Sequence, residues 1–173
     1  YLTMFSQLIR LVLENSRSEK VTLQKELEAL RLYIELEAMR FKDKVKYQIN
    51  VSPDIDQQYT ELPPLLIQPY VENAIWHGLM HKKEGGNILI NITQPAEHLL
   101  QVEIADDGVG REQSAAYKSK SATRQKSFGL KMTSERLDMI NYVYGIKADV
   151  QVADLKDTMN NATGTKVIIK IPV

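Results

Sequence analysis

Several features on which many proteins rely are missing from this sequence of 173 residues. It contains no cysteine, which excludes disulfide bonds and thiol chemistry and fits a reducing cytosol. No apolar run in these residues approaches the roughly 20 that a membrane-spanning helix requires, and none follows basic residues in the pattern of a secretory signal. The 22 basic and 22 acidic residues cancel, so no overall charge attracts nucleic acid or anionic lipid.

The chain is long and apolar enough to bury one hydrophobic core of ordinary size, since 43% of the residues are hydrophobic and 25% are charged. We expect one globular domain with additional helix. The chain begins at Tyr1 in the middle of an amphipathic pattern, without an initiating Met or a helix cap, so we expect it to be part of a longer protein.

Two amphipathic helices are predicted in the first 42 residues. The first carries apolar side chains at positions 2, 5, 9 and 12, and Leu8 and Leu13 widen this stripe. Residues 16–21 break the pattern, and Thr22 is placed to cap a second helix that runs to about Lys42. Such stripes are typical of core or bundle packing and indicate no chemistry.

The remaining residues alternate between strand and helix patterns. Period-two patterns predict strands over 45–51, 87–93 and 98–105, a helix follows over 129–144, and closing strands are predicted over 149–155 and 165–173. This order predicts a two-layer α+β fold with helices on one face of the sheet.

The stretch from Leu65 to Gly78 places polar side chains inside an apolar helix pattern. Asn73 and His77 are four residues apart and therefore share a helix face, and Pro69 fits a first turn or a kink. This pattern suits a binding site. It also suits a core helix whose Asn and His are satisfied internally, and both interpretations remain open for the helix alone.

A second polar stretch follows a predicted strand. Asp106 stands at the strand end as a fixed acceptor for an exocyclic amine, and Gly108 and Gly110 permit positive φ and close backbone approach of a ligand. The alternative is a plain turn, because Asp-Gly pairs are common in turns.

Four short motifs in one order carry a resemblance that each of them alone does not. The helix with Asn73, the Asp-x-Gly-x-Gly stretch, Ser127-Phe-Gly-Leu130 and Gly164-Thr165 together resemble the Bergerat-type ATP-binding domain of gyrase, heat-shock chaperones, histidine kinases and mismatch-repair ATPases. The stretches 36–41, 64–78, 135–137 and 144–145 resemble more narrowly the LytS-type sensor histidine kinases.

This resemblance implies an α+β sandwich in which a mixed β-sheet carries helices on one face, preceded by amphipathic helices. Residues 1–42 then correspond to the end of the dimerisation and phosphoacceptor region with its connector, and residues 43–173 to the ATP-binding domain. It also implies ATP and Mg²⁺ as cofactors.

The roles implied by the resemblance can be assigned position by position. Asn73 corresponds to the Mg²⁺ ligand, Asp106 to the acceptor of the adenine amino group, and Thr165 to a polar contact beside adenine. Gly108 and Gly110 leave room for the ring and the neighbouring lid, and His77 is either a phosphate contact or a packed core histidine. Phosphates are expected at the helix start formed by Gly129 and Leu130, where free N–H groups favour anions.

The loop over residues 111–128 has no apolar periodicity and is rich in cations. The resemblance favours a mobile nucleotide lid, whereas a solvated surface loop is the alternative. The cations that could approach phosphates in such a lid are Lys118, Lys120, Arg124 and Lys126.

The sequence departs from the family pattern at two positions, and a third position separates the branches of the superfamily. Trp76 stands where a phosphate-binding Lys is common, and Ser127 replaces the first glycine of a pair before the lid helix, which puts lid hinging in doubt. Pro69 occupies the place where the hydrolysing branches carry a Glu that activates water, so a kinase is favoured over a gyrase-like or chaperone-like ATPase.

The expected activity is that of an ATP-dependent protein histidine kinase. The three histidines, His77, His81 and His98, lie outside the amphipathic helices, so we expect the phosphoacceptor upstream and this segment to be inactive alone. The resemblance implies a response regulator and the chain's own upstream segment as partners, a homodimer, and the cytoplasmic part of a membrane-anchored sensor, without nucleic acid. A degenerate module for nucleotide binding or dimerisation is the alternative.

Overall fold

The computed structural model describes residues 1–42, 44–114 and 128–173, with the main chain alone over 128–133. Within these ranges no helix has the length and apolar character that crossing a bilayer would require. The described residues form an N-terminal helical hairpin and a five-stranded sheet covered by helices.

The helical hairpin consists of α1 (Leu2–Ser16) and α2 (Leu23–Arg40). The Thr22 hydroxyl accepts a hydrogen bond from the Lys25 N–H at 3.3 Å, so the predicted cap is present. Leu8 of α1 packs on Ala29 and Leu36 of α2. Helix α2 ends at Arg40, slightly earlier than the sequence pattern predicts.

Most of the predicted stripe on α1 faces solvent rather than α2. Leu2, Phe5 and Ile9 are 77%, 46% and 43% exposed, respectively. The side of α1 that carries Leu8 makes the contact with α2, and the apolar residues next to it are Met4, Leu11 and Val12. Helix α1 therefore has two apolar sides, and the residues that the structure describes cover only one of them.

The main sheet has the strand order β2-β4-β5-β7-β6. Its strands are β2 (Val45–Val51), β4 (Gly86–Ala96), β5 (Leu99–Asp106), β6 (Asp149–Lys156) and β7 (Ala162–Pro172). The pair β2 and β4 is parallel and every other pair is antiparallel, so the sheet is mixed. Two further strands, β1 (Val21–Thr22) and β3 (Glu61–Leu62), pair with each other and were not predicted, because two residues carry no readable period.

Alternation along the inner strands creates one apolar face and one polar face of the sheet. The apolar side chains of this face that are buried on β4, β5 and β7 are Ile88, Ile90, Ile92, Leu100, Val102, Ile104, Ile169 and Ile171. On the other face the amide of Asn50 donates to Asn91 at 2.8 Å, and Lys166 pairs with Glu103 at 2.8 Å. The predicted two-layer α+β class, with helices on one face of a mixed sheet, is confirmed.

Helix α2 contributes Leu23, Leu27, Leu30 and Ile34 to this same core. The residue range predicted as a separate helical segment, 1–42, therefore includes a helix that is part of the domain core. Packing on the sheet gives α2 a fixed position relative to the elements that carry the polar stretches.

The helix with Asn73 changes its geometry halfway along. It begins as α3 (Gln68–Asn73), with Pro69 in the first turn, and continues without a break as a π-helical segment (Ala74–Leu79). Met80 N donates to Ile75 O at 3.0 Å, which is the i to i+5 bond of a π-helix. We call residues 68–79 the Asn helix.

Helix α4 (Phe128–Tyr144) follows the predicted range and packs on the first turn of the Asn helix. Gly145 ends it with a positive φ of 62°, as expected of a glycine cap. The Asn141 side chain donates to Ala148 O and accepts from Ala148 N, both at 2.9 Å, which holds the connection to β6.

Candidate functional site

One cavity of about 490 Å³ brings the two polar stretches together. It lies between the Asn helix, the ends of β5 and β7, strand β6 and residues 110–114. Five of the predicted site residues line it: Asn73, His77, Asp106, Gly110 and Thr165. The remaining lining residues include Tyr70, Ala74, Ile104, Val152 and Val167. A largely apolar cavity with few converging polar groups is the usual form of a small-molecule site.

Asn73 and His77 lie on the side of the Asn helix that faces the cavity, and both are half-buried. The four-residue spacing therefore places both side chains on one side of the helix, as predicted, although the geometry after Asn73 is π-helical. Tyr70, one turn earlier, is buried, and burial raises the pKa of its phenol to about 12, which keeps the ring neutral. The Asn helix thus offers polar groups and an aromatic side chain to a ligand.

Asp106 is the last residue of β5 and only 6% of it is exposed. Its Oδ1 accepts a hydrogen bond from the Gly108 N–H at 2.9 Å. Burial raises the pKa of Asp106 to about 6, although main-chain hydrogen bonds from Gly108 and Thr165 act in the opposite direction. At pH 7 the carboxylate is therefore mostly ionised, and it forms a fixed hydrogen-bond acceptor inside the cavity.

The two glycines after Asp106 have different roles. Gly110 has a positive φ of 78°, as predicted, and lines the cavity. Gly108 has no positive φ, and a Cβ there would lie 2.4 Å from the Cα of Gly78. Gly108 therefore makes room for the main chain of the Asn helix without the positive φ that the sequence predicted, and its role beside the ligand stays a prediction.

Gly164 permits an equally close approach on the other side of Asp106. It has a φ of 146°, and a Cβ there would lie 1.9 Å from the main-chain oxygen of Asp106. Its neighbour Thr165 pairs with Asp106 across β5 and β7 and lines the cavity. The Gly-Thr motif therefore places Thr165 beside the buried carboxylate.

The second acid of the motif, Asp107, has a structural role. Its Oδ1 and Oδ2 accept hydrogen bonds from the main chain and the side chain of Asn87, both at 2.7 Å. Lys82 Nζ donates to the Asp107 main-chain oxygen at 2.9 Å. These bonds hold the loop after β5 against the start of β4.

An ion pair that the sequence did not indicate closes one side of the cavity. Arg111 Nε and Nη2 each lie 2.7 Å from a different carboxylate oxygen of Asp154 on β6. Both residues line the cavity, together with Glu112 and the buried Ser114. Residues 110–114 are helical, so the segment predicted as an irregular loop begins with a helical turn tied to the sheet.

Trp76, which stands in place of the common Lys, points toward α2. Its ring forms an edge-to-face contact with Phe41 at a centroid distance of 5.5 Å. Glu72 also turns away from the cavity and accepts a hydrogen bond from the Gln68 amide at 2.8 Å. Neither side chain is placed to contact a phosphate or to activate water in the cavity.

The other predicted phosphate contacts are described only in part. Gly129 and Leu130 lie in the first turn of α4, as predicted. Lys126 and the other lid cations, Lys118, Lys120 and Arg124, together with the Ser127 position, lie outside the described residues. Their predicted roles therefore remain predictions.

The donor atoms of the site fit a Mg²⁺ ion that is held mainly by water and phosphate oxygens. Within residues 1–42, 44–114 and 128–173, no group of three or more His, Asp or Glu side chains could hold a metal ion. The amide oxygen of Asn73 is a hard neutral donor, which suits a Mg²⁺ ion that keeps its waters and is carried mainly by phosphates.

Comparison with known proteins agrees with this geometry. The family model described as histidine kinase matches residues 1–45. The chain is 32% identical over 112 residues to the uncharacterized protein YwpD of Bacillus subtilis, which is 65% of the chain and 39% of that protein. It is 36% identical over 112 residues to the sensor protein LytS of Oceanobacillus iheyensis, and 33% identical over 107 residues to the sensor histidine kinase/phosphatase LytS of Staphylococcus aureus. These two matches cover 65% and 61% of the chain but only 19% and 18% of the LytS proteins.

Solved structures show the same fold at lower identity. The histidine kinase domain of the Erythrobacter litoralis EL346 blue-light activated histidine kinase superposes with a TM-score of 0.58 at 16% identity, covering 99% of this chain and 78% of that one. The histidine kinase ThkA, solved in complex with the response regulator protein TrrA, gives 0.55 at 14% identity, covering 99% and 48%.

The fold is therefore the Bergerat-type α+β fold of histidine kinase catalytic domains. In sequence, the chain is similar to the LytS-type sensor histidine kinases, so the resemblance predicted from its motifs is confirmed.

Proposed function

We propose that this chain is the ATP-binding catalytic region of a two-component sensor histidine kinase. It binds ATP with Mg²⁺ and supplies the γ-phosphoryl group to a histidine upstream of this segment, for relay to a response regulator. The observation that carries the proposal is the convergence of Asn73, Asp106 and Thr165, from three separate motifs, on one cavity.

The polar groups of the cavity suit the two ends of a nucleotide. Asp106 supplies the buried acceptor that an exocyclic amine requires, and Thr165 beside it supplies a second polar contact for the adenine ring. Asn73 and His77, on the Asn helix, suit the phosphate end, where the amide oxygen of Asn73 contacts a phosphate-bound Mg²⁺. When bound, Mg²⁺ would neutralise part of the phosphate charge.

The transfer itself breaks the bond between the γ-phosphorus and the β,γ-bridging oxygen, forms a phosphorus–nitrogen bond on the acceptor histidine, and releases ADP. Such a step depends mainly on positioning and charge neutralisation. We therefore expect nucleotide binding without useful transfer when the acceptor histidine is not supplied.

An ATPase of the gyrase or chaperone kind is disfavoured by Pro69. It lies in the first turn of the Asn helix beside Leu137 and Ile140 of α4, so no carboxylate occupies this place to activate water. A degenerate, non-catalytic module for nucleotide binding or dimerisation is the second candidate. Trp76 favours it, since it stands where a phosphate-binding lysine is common and points toward α2 instead.

The partners and location belong to the same proposal. The complex of ThkA with TrrA supports a response regulator as the acceptor of the relayed phosphoryl group. The exposed apolar side of α1 supports a homodimer in the longer protein, and the LytS relatives, whose names call them sensors, support the cytoplasmic part of a membrane-anchored sensor.

Calorimetric titration with ADP and a non-hydrolysable ATP analogue, with and without Mg²⁺, tests the proposal directly. We expect Asn73→Ala to abolish the Mg²⁺-dependent gain in affinity and Asp106→Asn to weaken both nucleotides. Asn50→Ala and Asp149→Asn, exposed on the sheet away from the cavity, are matched controls that should bind like the unchanged protein. Absence of binding at millimolar nucleotide would refute the proposal.

The degenerate module is distinguished by adding the upstream segment. A longer protein that contains it should label a histidine with the γ-phosphoryl group of ATP, and Asn73→Ala should abolish the label. Nucleotide binding without any labelled histidine would support the degenerate module instead.

A further inference from the structure

An acidic residue in the first turn of α2, Glu26, forms hydrogen bonds with the main chain that leads into the Asn helix. Glu26 is only 3% exposed, and its carboxylate accepts hydrogen bonds from the Leu65 N–H at 3.0 Å and the Ile67 N–H at 3.2 Å. These N–H groups lie just before the Asn helix begins, where donors have no partner within the helix. A carboxylate that lies 39 residues earlier in the chain than Leu65 therefore caps the approach to this helix.

The turn held by Glu26 has an unusual backbone. Leu65 has a positive φ of 57°, which an L-residue with a branched side chain rarely adopts unless its surroundings impose it. Burial raises the pKa of Glu26, and the main-chain N–H groups of Leu65 and Ile67 oppose this rise. The turn thus supplies the buried Glu26 carboxyl group with hydrogen-bond donors, and the carboxyl group supplies the turn with acceptors.

The C-terminal half of the Asn helix contacts the C-terminal end of α2 through Trp76. The Arg40 guanidinium lies 4.8 Å from the centroid of the Trp76 ring, and Phe41 contacts the same ring edge-to-face. Cation and aromatic contacts therefore converge on one side chain of the π-helical segment.

Apolar packing fills the space between these two attachments. Leu27, Leu30 and Ile34 of α2 belong to the same buried cluster as Val71 and Ile75 of the Asn helix. Asn73 and His77 face the cavity on the other side. Because interiors are close-packed, a displacement of α2 is transmitted to the Asn helix rather than absorbed between them.

From these contacts we infer that Glu26 is a positioning residue for Asn73, with Arg40 acting in the same way at the far end through Trp76. The position of α2, which α1 contacts on its other side, then sets how well Asn73 meets the Mg²⁺ and phosphates of a bound nucleotide. This inference rests on the proposed function, because it requires that Asn73 contacts the metal-bound phosphates.

The test compares two ligands that use different parts of the site. Mg²⁺-ADP requires Asn73, whereas adenosine requires only the Asp106 end. Glu26→Gln keeps the shape of the side chain but replaces one acceptor oxygen by an NH₂ group, which cannot accept from a main-chain N–H. We expect this variant to lower the affinity for Mg²⁺-ADP by about tenfold and that for adenosine by less than about twofold, since one hydrogen bond to the carboxyl group is lost.

Two controls separate positioning from general loss of stability. Glu28→Gln changes an exposed glutamate on the same helix and should leave both affinities unchanged. In the Asn73→Ala background, Glu26→Gln should cause no further loss of Mg²⁺-ADP affinity, because residues that act as one unit are not additive. An equal loss for adenosine and Mg²⁺-ADP, or additive losses in the double variant, would overturn the inference.

A second variant keeps the test decisive if Glu26→Gln does not fold. Arg40→Met retains the apolar stem of a largely exposed side chain but removes the guanidinium over Trp76, and Arg31→Met, at an exposed position of the same helix, is its control. Arg40→Met should weaken Mg²⁺-ADP more than adenosine, and an affinity equal to that of Arg31→Met would contradict the inference. If the unchanged protein does not bind Mg²⁺-ADP, the proposed function fails instead.

Discussion

Gly78 and Asp106 are in direct contact: a Cβ built on Gly78 would lie 2.6 Å from Oδ1 of Asp106. The last turn of the Asn helix thus packs on the carboxylate at the end of β5, without space for a side chain between them. The two motifs predicted to bind opposite ends of a nucleotide are therefore fixed to each other by this glycine.

This contact predicts the effect of a single methyl group. Gly78→Ala should displace the Asp106 carboxylate and lower the affinity for ADP by about tenfold or more, and overpacking should destabilise the protein by about 1–3 kcal/mol. Chemical denaturation and calorimetry measure the two effects. In an Asp106→Ala background the stability cost should largely disappear, because the displaced atoms are gone. The same cost in both backgrounds would show that the methyl group meets something else.

The raised pKa of Asp106 predicts a pH dependence of binding. A ligand that donates a hydrogen bond to the ionised carboxylate binds less well when a proton occupies it, so affinity should fall as the pH decreases through about 6. If only the ionised form binds, adenosine affinity should drop about tenfold between pH 7 and pH 5.

Adenosine is the appropriate ligand here because it has no phosphate that titrates in this range. NMR titration at several pH values measures the effect. The Asp106→Asn variant is the control and should bind weakly without this pH dependence. An affinity of the unchanged protein that stays constant from pH 7 to pH 5 would contradict the assigned role of Asp106.

The Arg111–Asp154 pair predicts a small contribution to stability. The arginine side chain is 43% exposed and the aspartate 27% exposed, and exposed ion pairs contribute only about 0.2–1 kcal/mol. The pair lowers the pKa of Asp154, so its contribution is present above the usual pKa of an aspartate and is lost as the pH falls.

A double-mutant cycle with Arg111→Gln and Asp154→Asn, followed by urea denaturation, measures this coupling. It should decrease when salt is added, because exposed charges are screened. A coupling of several kcal/mol that is insensitive to salt would show that the pair is a rigid part of the cavity wall.

The exposed side of α1 predicts weak self-association. Leu2, Phe5 and Ile9 form one apolar stripe, and we expect the rest of the bundle that would cover it to lie upstream. Sedimentation velocity should show association that increases with concentration, and Phe5→Ser with Ile9→Ser should shift the protein to monomer. Met139→Ser, at an exposed apolar position of α4, is the matched control. A tight dimer at all concentrations would contradict the expectation that part of the bundle is missing.

Most of the fold could be predicted from local patterns. The period of apolar residues indicated α1, α2 and all five strands of the main sheet, because each of these elements buries one face and exposes the other. The motif order also indicated which residues meet in the cavity, and Asn73, His77, Asp106, Gly110 and Thr165 do line it.

The features that escaped prediction depend on partners distant in the chain. Arg111 and Asp154 are 43 residues apart, and the partners of Glu26 are 39 and 41 residues away, so no local spacing indicates either contact. The role of Gly108 depends in the same way on Gly78, which belongs to another motif. The π-helical segment has no sequence signature of its own, and it was therefore predicted as ordinary α-helix.

The position of β7 has a consequence for the synthesis of this domain. This strand follows the other four strands of the sheet in sequence, yet it lies inside the sheet between β5 and β6. A nascent chain that lacks residues 162–172 has β5 exposed along one edge and β6 without a neighbour, so the sheet closes only after nearly all of the segment has left the ribosome. Because Gly164 and Thr165 arrive on that strand, the ability to bind a nucleotide should appear abruptly when β7 has been synthesised, and a chain cut before residue 162 should lack it entirely.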